Sequence, residues 1–297
     1  MLEDGITTTE YGKTKFLGCI QLTRKKKYAV GCVLLSPLVF LLFLAIGLMI
    51  NAAVVNEKYQ RLNLDPTPSF IDANQSVIWE RAERLGAAIK IKTISYNQTW
   101  QNMDELSKLN TFITNTYPYV HNSEFIEKNV INNISIIFRV NGTDHTEKPY
   151  MLCAHLDVVP EGDLSQWDCD PFLGEIVLDR ECDPIMDRTY NTSNAYVFGR
   201  GAIDDKHSVF GILEALEYLV RSGHQPRRTF YVAFGHDEEV SGNQGAAKIK
   251  KYMSDLLKEN NEVLDFILDE GNSVYQDVVP GVDIPIAMIG VTEKGTI

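Results

Sequence analysis

Four apolar runs in this chain break off on acidic or imidazole side chains, and this constrains its fold more than any other feature. YMLCAHLD places His155 and Asp157 at the end of one run, and VFGRGAIDDK brings Asp204 and Asp205 in after two glycines. FYVAFGHDEE ends in His236, Asp237, Glu238 and Glu239, and LDFILDEG ends in Asp269 and Glu270. β-Branched and aromatic residues make residues 133–140, 150–156, 229–234, 263–268 and 285–291 read as strands. Apolar residues recur at helical spacing over 103–116, 205–221 and 245–257. Earlier, Ile78, Trp79, Ala82, Leu85 and Ile89 mark a helix that Ser76 would cap. Strands alternating with helices predict an α/β fold, with a mainly parallel sheet flanked by helices. In open sheets of that kind ligands bind beyond the carboxyl ends of the strands, which is where these acids fall.

A second feature sets the topology. Residues 29–50, AVGCVLLSPLVFLLFLAIGLMI, carry no charge. Such a run is long enough to cross ~30 Å of hydrocarbon. It is also longer than the h-region of a cleavable signal, which has about 7–15 residues. Arg24, Lys25, Lys26 and Lys27 precede it, so the positive-inside bias puts the N-terminus in the cytoplasm. The expected organisation is a cytoplasmic basic tail (1–28), a transmembrane signal anchor (29–50), a stalk (51–75) and a globular part (76–297). This describes a single-pass type II membrane protein whose globular part is lumenal, in a vacuole or lysosome, or extracellular. Glycosylation sequons at Asn74, Asn97, Asn133, Asn141 and Asn191 all follow the apolar run, in agreement with that side. Cys169 and Cys182 flank a turn-rich stretch and their pairing stays open, whereas Cys153 reads as a small buried hydrophobe.

Charge excludes one class of partner. The chain holds 40 acids against 28 bases. Six of those bases and only three of the acids lie in the first 28 residues, leaving 22 bases against 37 acids in the rest. A globular part that acidic repels phosphate backbones, so nucleic-acid binding is ruled out.

Taken singly, each acidic motif has an ordinary explanation: a core histidine, an Asp205 helix cap, an exposed acidic loop, a strand-to-turn boundary. Together, one imidazole and several carboxylates form a ligand set that suits zinc. Three carboxylates and a bridging hydroxide would balance the charge of two zinc ions about 3.5–4 Å apart. A further, unligated carboxylate could carry a proton from an activated water to a leaving amine.

The motifs AHLDVVP, WDCDPF, FGRGAIDDK, GHDEEVSG, LDEG and VTEKG occur in that order between Ala154 and Gly295, within a stretch from about Trp79 (ERLGAAIKIKTISY) to the last residue. In this the chain resembles the di-zinc exopeptidase and aminoacylase family (metallopeptidase family twenty). The anchor and the GHDEEVSG wording resemble its carboxypeptidase S and N-fatty-acyl-amino-acid synthase/hydrolase branch. The resemblance implies that His155 is a ligand of one zinc, Asp204 the carboxylate bridging two, and Glu239 a ligand of the second. Glu270 or its neighbour Asp269 would complete the first zinc's ligands; the resemblance leans to Glu270, and the sequence alone does not separate them. Asp157 would steady His155, Glu238 would be the general base, and the Asp204–Asp205 peptide would be cis. His207 and His236 match no ligand position.

The family supplies a last histidine ligand after an inserted lid domain that grips the substrate and often mediates dimerisation. This chain ends at residues 293–297 (EKGTI), about where the lid would begin. The expectation is therefore a C-terminally truncated catalytic domain that keeps the first zinc's protein ligands and lacks one of the second's, with dimerisation only where the lid is present. The expected function is zinc-dependent hydrolysis of amide bonds by metal-activated water, in small peptides (as a carboxypeptidase) or in N-acyl amino acids. The alternative is a non-catalytic, truncated membrane glycoprotein.

Overall fold

The computed structural model describes residues 37, 39–54, 75–178, 181–189, 194–271, 274–275, 278, 286–287 and 290–291. The chain divides into two units, Met1–Ile71 and Asp72–Ile297. In the first, residues 39–54 form a helix, α1, whose apolar side chains, Phe40, Leu44 and Leu48 among them, are exposed. Among the described residues no helix is long and apolar enough to cross a membrane. The basic tail, residues 29–36 of the uncharged run and residues 55–74 of the stalk lie outside the described residues, as do Asn74, Asn191 and the EKGTI end.

The second unit begins with α2 (Gln75–Ile89), which buries Trp79, Ala88 and Ile89. Ser76 lies inside this helix, whose first residue is Gln75, so it is not the cap that its position suggested. A short hairpin of β1 (Ser95–Asn97) and β2 (Trp100–Gln101) follows. Then comes α3 (Met103–Thr116), where Asn102 accepts a hydrogen bond from the Glu105 N–H and Asp104 and Glu105 sit in the positive first turn. Its buried residues Leu106, Leu109 and Ile113 fall three and four apart, on one stripe. The single-turn α4 (Pro118–His121) starts on proline, and the Glu217 carboxylate accepts from the Tyr119 and Val120 N–H groups at its start.

Five strands form the central sheet in the order β3–β4–β8–β5–β9: β3 (Ile126–Ile131), β4 (Ser135–Val140), β8 (Phe230–Gly235), β5 (Tyr150–His155) and β9 (Ile267–Leu268). Pairings β5–β8 and β5–β9 are parallel, but β3–β4 and β4–β8 are antiparallel. The expectation of a mainly parallel sheet is corrected to a mixed one. The cause is local. Asn132 and Asn133 take φ of 47° and 66°, in the left-handed region that asparagine tolerates better than most residues, and they turn β3 straight back as β4.

Period-two alternation gives the sheet two apolar faces. Ile136, Phe138, Phe230, Val232 and Phe234 pack with residues of α2 to α4 and with Val209, Leu213 and Leu216 of α5 (Lys206–Arg221). Ile137, Tyr231 and Ala233 face Ile249 and Met253 of α6 (Ala246–Glu259). Cys153 is only partly buried against this second cluster. Outside the sheet, β6 (Glu175–Leu178) pairs antiparallel with β7 (Ala195–Phe198), and β10 (Val274–Tyr275) with β11 (Ile286–Ala287). The Cys169–Cys182 disulfide, left open by the sequence, is formed.

Candidate metal centre

The three parallel strands β5, β8 and β9 end side by side, and the residues at their ends meet the turn between β7 and α5 that carries Asp204. His155 is the last residue of β5 and is buried. Its Nε2 lies 2.8 Å from Asp204 Oδ1, 3.2 Å from Glu270 Oε2 and 4.0 Å from Glu238 Oε2. One ligand atom each from His155, Asp204 and Glu270 fits within 4.8 Å of the others, an arrangement that could hold a metal ion. Of the two acids after β9, Glu270 thus faces the histidine, while Asp269 Oδ1 accepts from the Glu270 N–H. Glu238 and Glu239 open a short 3₁₀ turn after β8 and stand near the cluster, Glu239 being within reach of Asp204's charge. His207 is exposed, and His236 is buried with Nδ1 2.6 Å from Ser135 Oγ. Neither histidine joins the cluster.

On the other side of the imidazole ring, Nδ1 lies 3.0 Å from the Asp157 carbonyl and 3.3 Å from its Oδ1. In the neutral ring that a metal ion requires, Nδ1 donates there and the Nε2 lone pair faces the carboxylates. Asp157 is fully buried, and its Oδ1 also accepts from the Glu238 N–H at 3.1 Å, tying the two motifs together. Burial alone would lower the His155 imidazole, but Asp157, Asp205 and Glu270 overcome it and hold it up to about 10. Burial and then the Asp204 charge push Glu239 up to about 7. Burial also raises Glu238 and Glu270, against the pull of His155. Among the described residues no lysine or arginine forms an ion pair with Asp204, Glu238, Glu239 or Glu270. A nitrogen and several oxygen donors, crowded and short of positive charge, fit a zinc ion.

Three supporting residues carried no site role in the sequence. The Asp204–Asp205 peptide is cis, and Asp205, whose side chain makes no cap to α5, instead accepts from the His155 N–H through Oδ2 at 3.2 Å. Lys206 is fully buried and donates to the carbonyls of Ala88 (2.8 Å) and Ile91 (2.6 Å), so it clamps the end of α2 to the Asp204 turn. Burial lowers its ammonium to about 7. Asp237 accepts from the Gln244 and Gly245 N–H groups, both at 2.7 Å, fixing the loop between β8 and α6. The one signal pointing to these was their place inside the motifs. Of the described sequons, Asn97 and Asn133 are exposed and Asn141 is half-buried.

A sequence model described as peptidase family M20/M25/M40 matches residues 151–283. The N-fatty-acyl-amino acid synthase/hydrolase of Xenopus tropicalis is 37% identical over 278 residues, covering 91% of this chain and 48% of that protein. The probable carboxypeptidase S-like 2 of Dictyostelium discoideum is 40% identical over 224 residues, covering 73% of this chain and 39% of that protein. The crystal structure of human carnosine dipeptidase 1 matches with a TM-score of 0.50 and 17% identity, over 69% of this chain and 40% of that one, which is a likeness of fold. The chain spans about half the length of the curated relatives it matches.

Proposed function

The chain belongs to peptidase family M20/M25/M40, and from that premise we propose that the protein carrying it is a zinc-dependent hydrolase of amide bonds, in small peptides attacked from the C-terminal end or in N-acyl amino acids. One observation carries this reading: Asp204 and Glu270 converge on the Nε2 of a buried histidine with no lysine or arginine paired to them among the described residues.

His155, Asp204 and Glu270 would hold one zinc ion, and Asp204 with Glu239 would reach a second. Zinc, when bound, supplies Lewis acidity, which acidifies water and makes a carbonyl carbon more electrophilic. The chain's own residues do the rest. Asp157 holds the Nδ1 proton of His155 and so keeps the ring in one tautomer and one orientation. Glu238, half exposed and with its carboxyl raised above its usual range, accepts the proton of the attacking water and passes it to the departing amine. The Asp157–Glu238 N–H bond fixes the start of the turn that bears this carboxylate.

The uncharged run at residues 29–50 acts in this reading as a type II signal anchor, with residues 1–28 cytoplasmic and the site lumenal or extracellular. The basic cluster before it, the sequons after it and the Cys169–Cys182 disulfide favour an oxidising compartment.

The test uses the full-length protein that carries this sequence. Glu238→Gln lowers kcat by at least ~10³-fold, toward the upper part of what a general base contributes, while zinc content stays at the unsubstituted level. Turnover left intact would overturn the role given to Glu238.

A further inference from the structure

The β1–β2 hairpin carries an exposed aromatic pair that the proposed chemistry does not use. Tyr96 and Trp100 stack with ring centroids 4.0 Å apart and planes 17° from parallel, yet they remain 40% and 59% exposed. The two strands pair irregularly, Ser95 opposite Gln101 and Asn97 opposite Trp100, so Tyr96 and Asn97 together oppose one residue of β2. Directly opposed residues hold their Cβ atoms about 4.5–5.5 Å apart. The residue across the ladder from Trp100 is therefore an asparagine, and Asn97-Gln98-Thr99 is a glycosylation sequon.

The three described sequons differ in what the fold leaves free. At Asn141, Nδ2 donates to Glu127 Oε1 at 2.9 Å, and the next residue, Gly142, is buried. After Asn133, Ile134 and Ser135 are buried, the serine Oγ lying 2.6 Å from His236 Nδ1. Asn97, Gln98 and Thr99 are all exposed. Asn97 Oδ1 accepts from the Thr99 N–H and from the Thr99 hydroxyl, each at 2.9 Å, which fixes the amide plane and leaves Nδ2 without a partner among the described residues. The hairpin is anchored as well: Gln101 Nε2 donates to the Asn97 carbonyl at 2.7 Å, Gln98 Nε2 to Ser241 Oγ at 3.2 Å, and the Ser95 N–H to the Val158 carbonyl at 3.0 Å. A substituent on Nδ2 thus leaves a braced turn in a fixed direction, beside a ring that is mostly exposed.

We infer that Asn97 carries an N-linked glycan whose first N-acetylhexosamine lies on the exposed face of Trp100 and caps the Tyr96–Trp100 stack. This rests on the lumenal or extracellular placement of the domain proposed above. In the attachment, Nδ2 displaces the diphosphate of a lipid-linked oligosaccharide. The Nδ2–C1 bond forms, the C1–O bond to the diphosphate breaks, the lipid diphosphate leaves with that electron pair, and Nδ2 gives up one proton. Nothing is oxidised or reduced. The chemistry of the rings favours this occupant. A pyranose offers a face of C–H bonds that packs on an aromatic ring, and hydroxyls at its edge that stay in water. Attachment across the ladder from the ring also removes the translational cost of bringing the two together.

The test uses the full-length protein made in a eukaryotic secretory host, with glycopeptide mass spectrometry at each sequon. Asn97 is occupied, and Asn97→Gln removes one glycan. Trimming that glycan to its first sugar leaves Tm unchanged, whereas releasing it entirely lowers Tm by about 3 °C and shifts tryptophan fluorescence to the red. In Trp100→Ala, which keeps the sequon, the glycan is attached as before and its release changes neither reading. Trp100→Phe restores most of the Tm difference. A bare Asn97 in a chain glycosylated at another sequon overturns the inference and leaves the lumenal placement standing. A release effect of the same size with and without the Trp100 ring overturns the inference as well. Sugar at none of the five sequons overturns the placement, and the inference with it.

Discussion

Two groups of carboxylates in this molecule are treated in opposite ways. On α5, Glu214 takes both oxygens' worth of partners from its own chain: Arg84 Nε at 2.5 Å and Nη2 at 2.8 Å, Arg81 at 3.5 Å, and the Tyr117 hydroxyl at 2.9 Å. At the ends of β5, β8 and β9, Asp204, Glu238, Glu239 and Glu270 crowd around one imidazole, and burial and mutual charge raise the three glutamates above their usual range. The first group is complete as folded and serves stability. The second costs free energy as folded and becomes favourable only when positive charge arrives, which is what separates a built site from a structural ion pair.

The strongest way to break this comparison is to supply that charge. Adding saturating zinc to the metal-stripped protein raises its Tm by roughly 10 °C, from about 4 kcal/mol of linkage at a thousandfold excess over Kd. Asp204→Asn removes most of that increment. A Tm indifferent to zinc, or an Asp204→Asn variant that responds as fully as the original, would place the acidic cluster in the same class as any exposed acidic loop.

Glu214→Ala sharpens the contrast from the other side. It strands two guanidinium groups and a buried hydroxyl, so unfolding free energy falls by about 2–3 kcal/mol, while the zinc increment of the remaining folded protein stays the same. Denaturant melts with and without zinc read both quantities. A lost zinc response would show that the two carboxylate groups are coupled through α5 rather than independent.

How much of this could be read from the amino-acid order depends on distance along the chain. The acids at strand ends were legible because apolar runs stop abruptly at His155, Gly235 and Leu268, and α3 was legible because Leu106, Leu109 and Ile113 keep helical spacing. The β3 strand was not, since IEKNVI alternates poorly and is buried only at its first residue. Without it the Asn132–Asn133 turn passes for the start of a strand, and the antiparallel half of the sheet disappears from view. Lys206 follows two aspartates at a helix start and reads as a surface lysine. Only the packing of α2 over the Asp204 turn shows Nζ beneath the Ala88 and Ile91 carbonyls. Asp205 was hidden in the same way, its partner being a backbone N–H fifty residues earlier.

The smallest expected effect comes from setting two imidazoles side by side, His155 buried and His121 half-buried. His155 is ringed by carboxylates, whereas His121, on α4, has none: burial first, and Lys128 of β3 second, push it down to about 4. Its Nε2 is buried with no hydrogen-bond partner among the described residues, and its ring packs 5.7 Å from that of Phe138. The folded state therefore prefers neutral His121, while the unfolded chain protonates it near its ordinary value of about 6.5. Since the folded pKa is the lower one, this contribution to stability is whole above pH ~6.5 and is lost as pH falls toward ~4. By pH 5.5 the loss is about 1 kcal/mol. His121→Gln should flatten that part of the stability profile, so the difference between the variant and the original shrinks as pH falls from 7 to 5. Parallel profiles would show instead that His121 is as accessible to protons in the fold as in the unfolded chain.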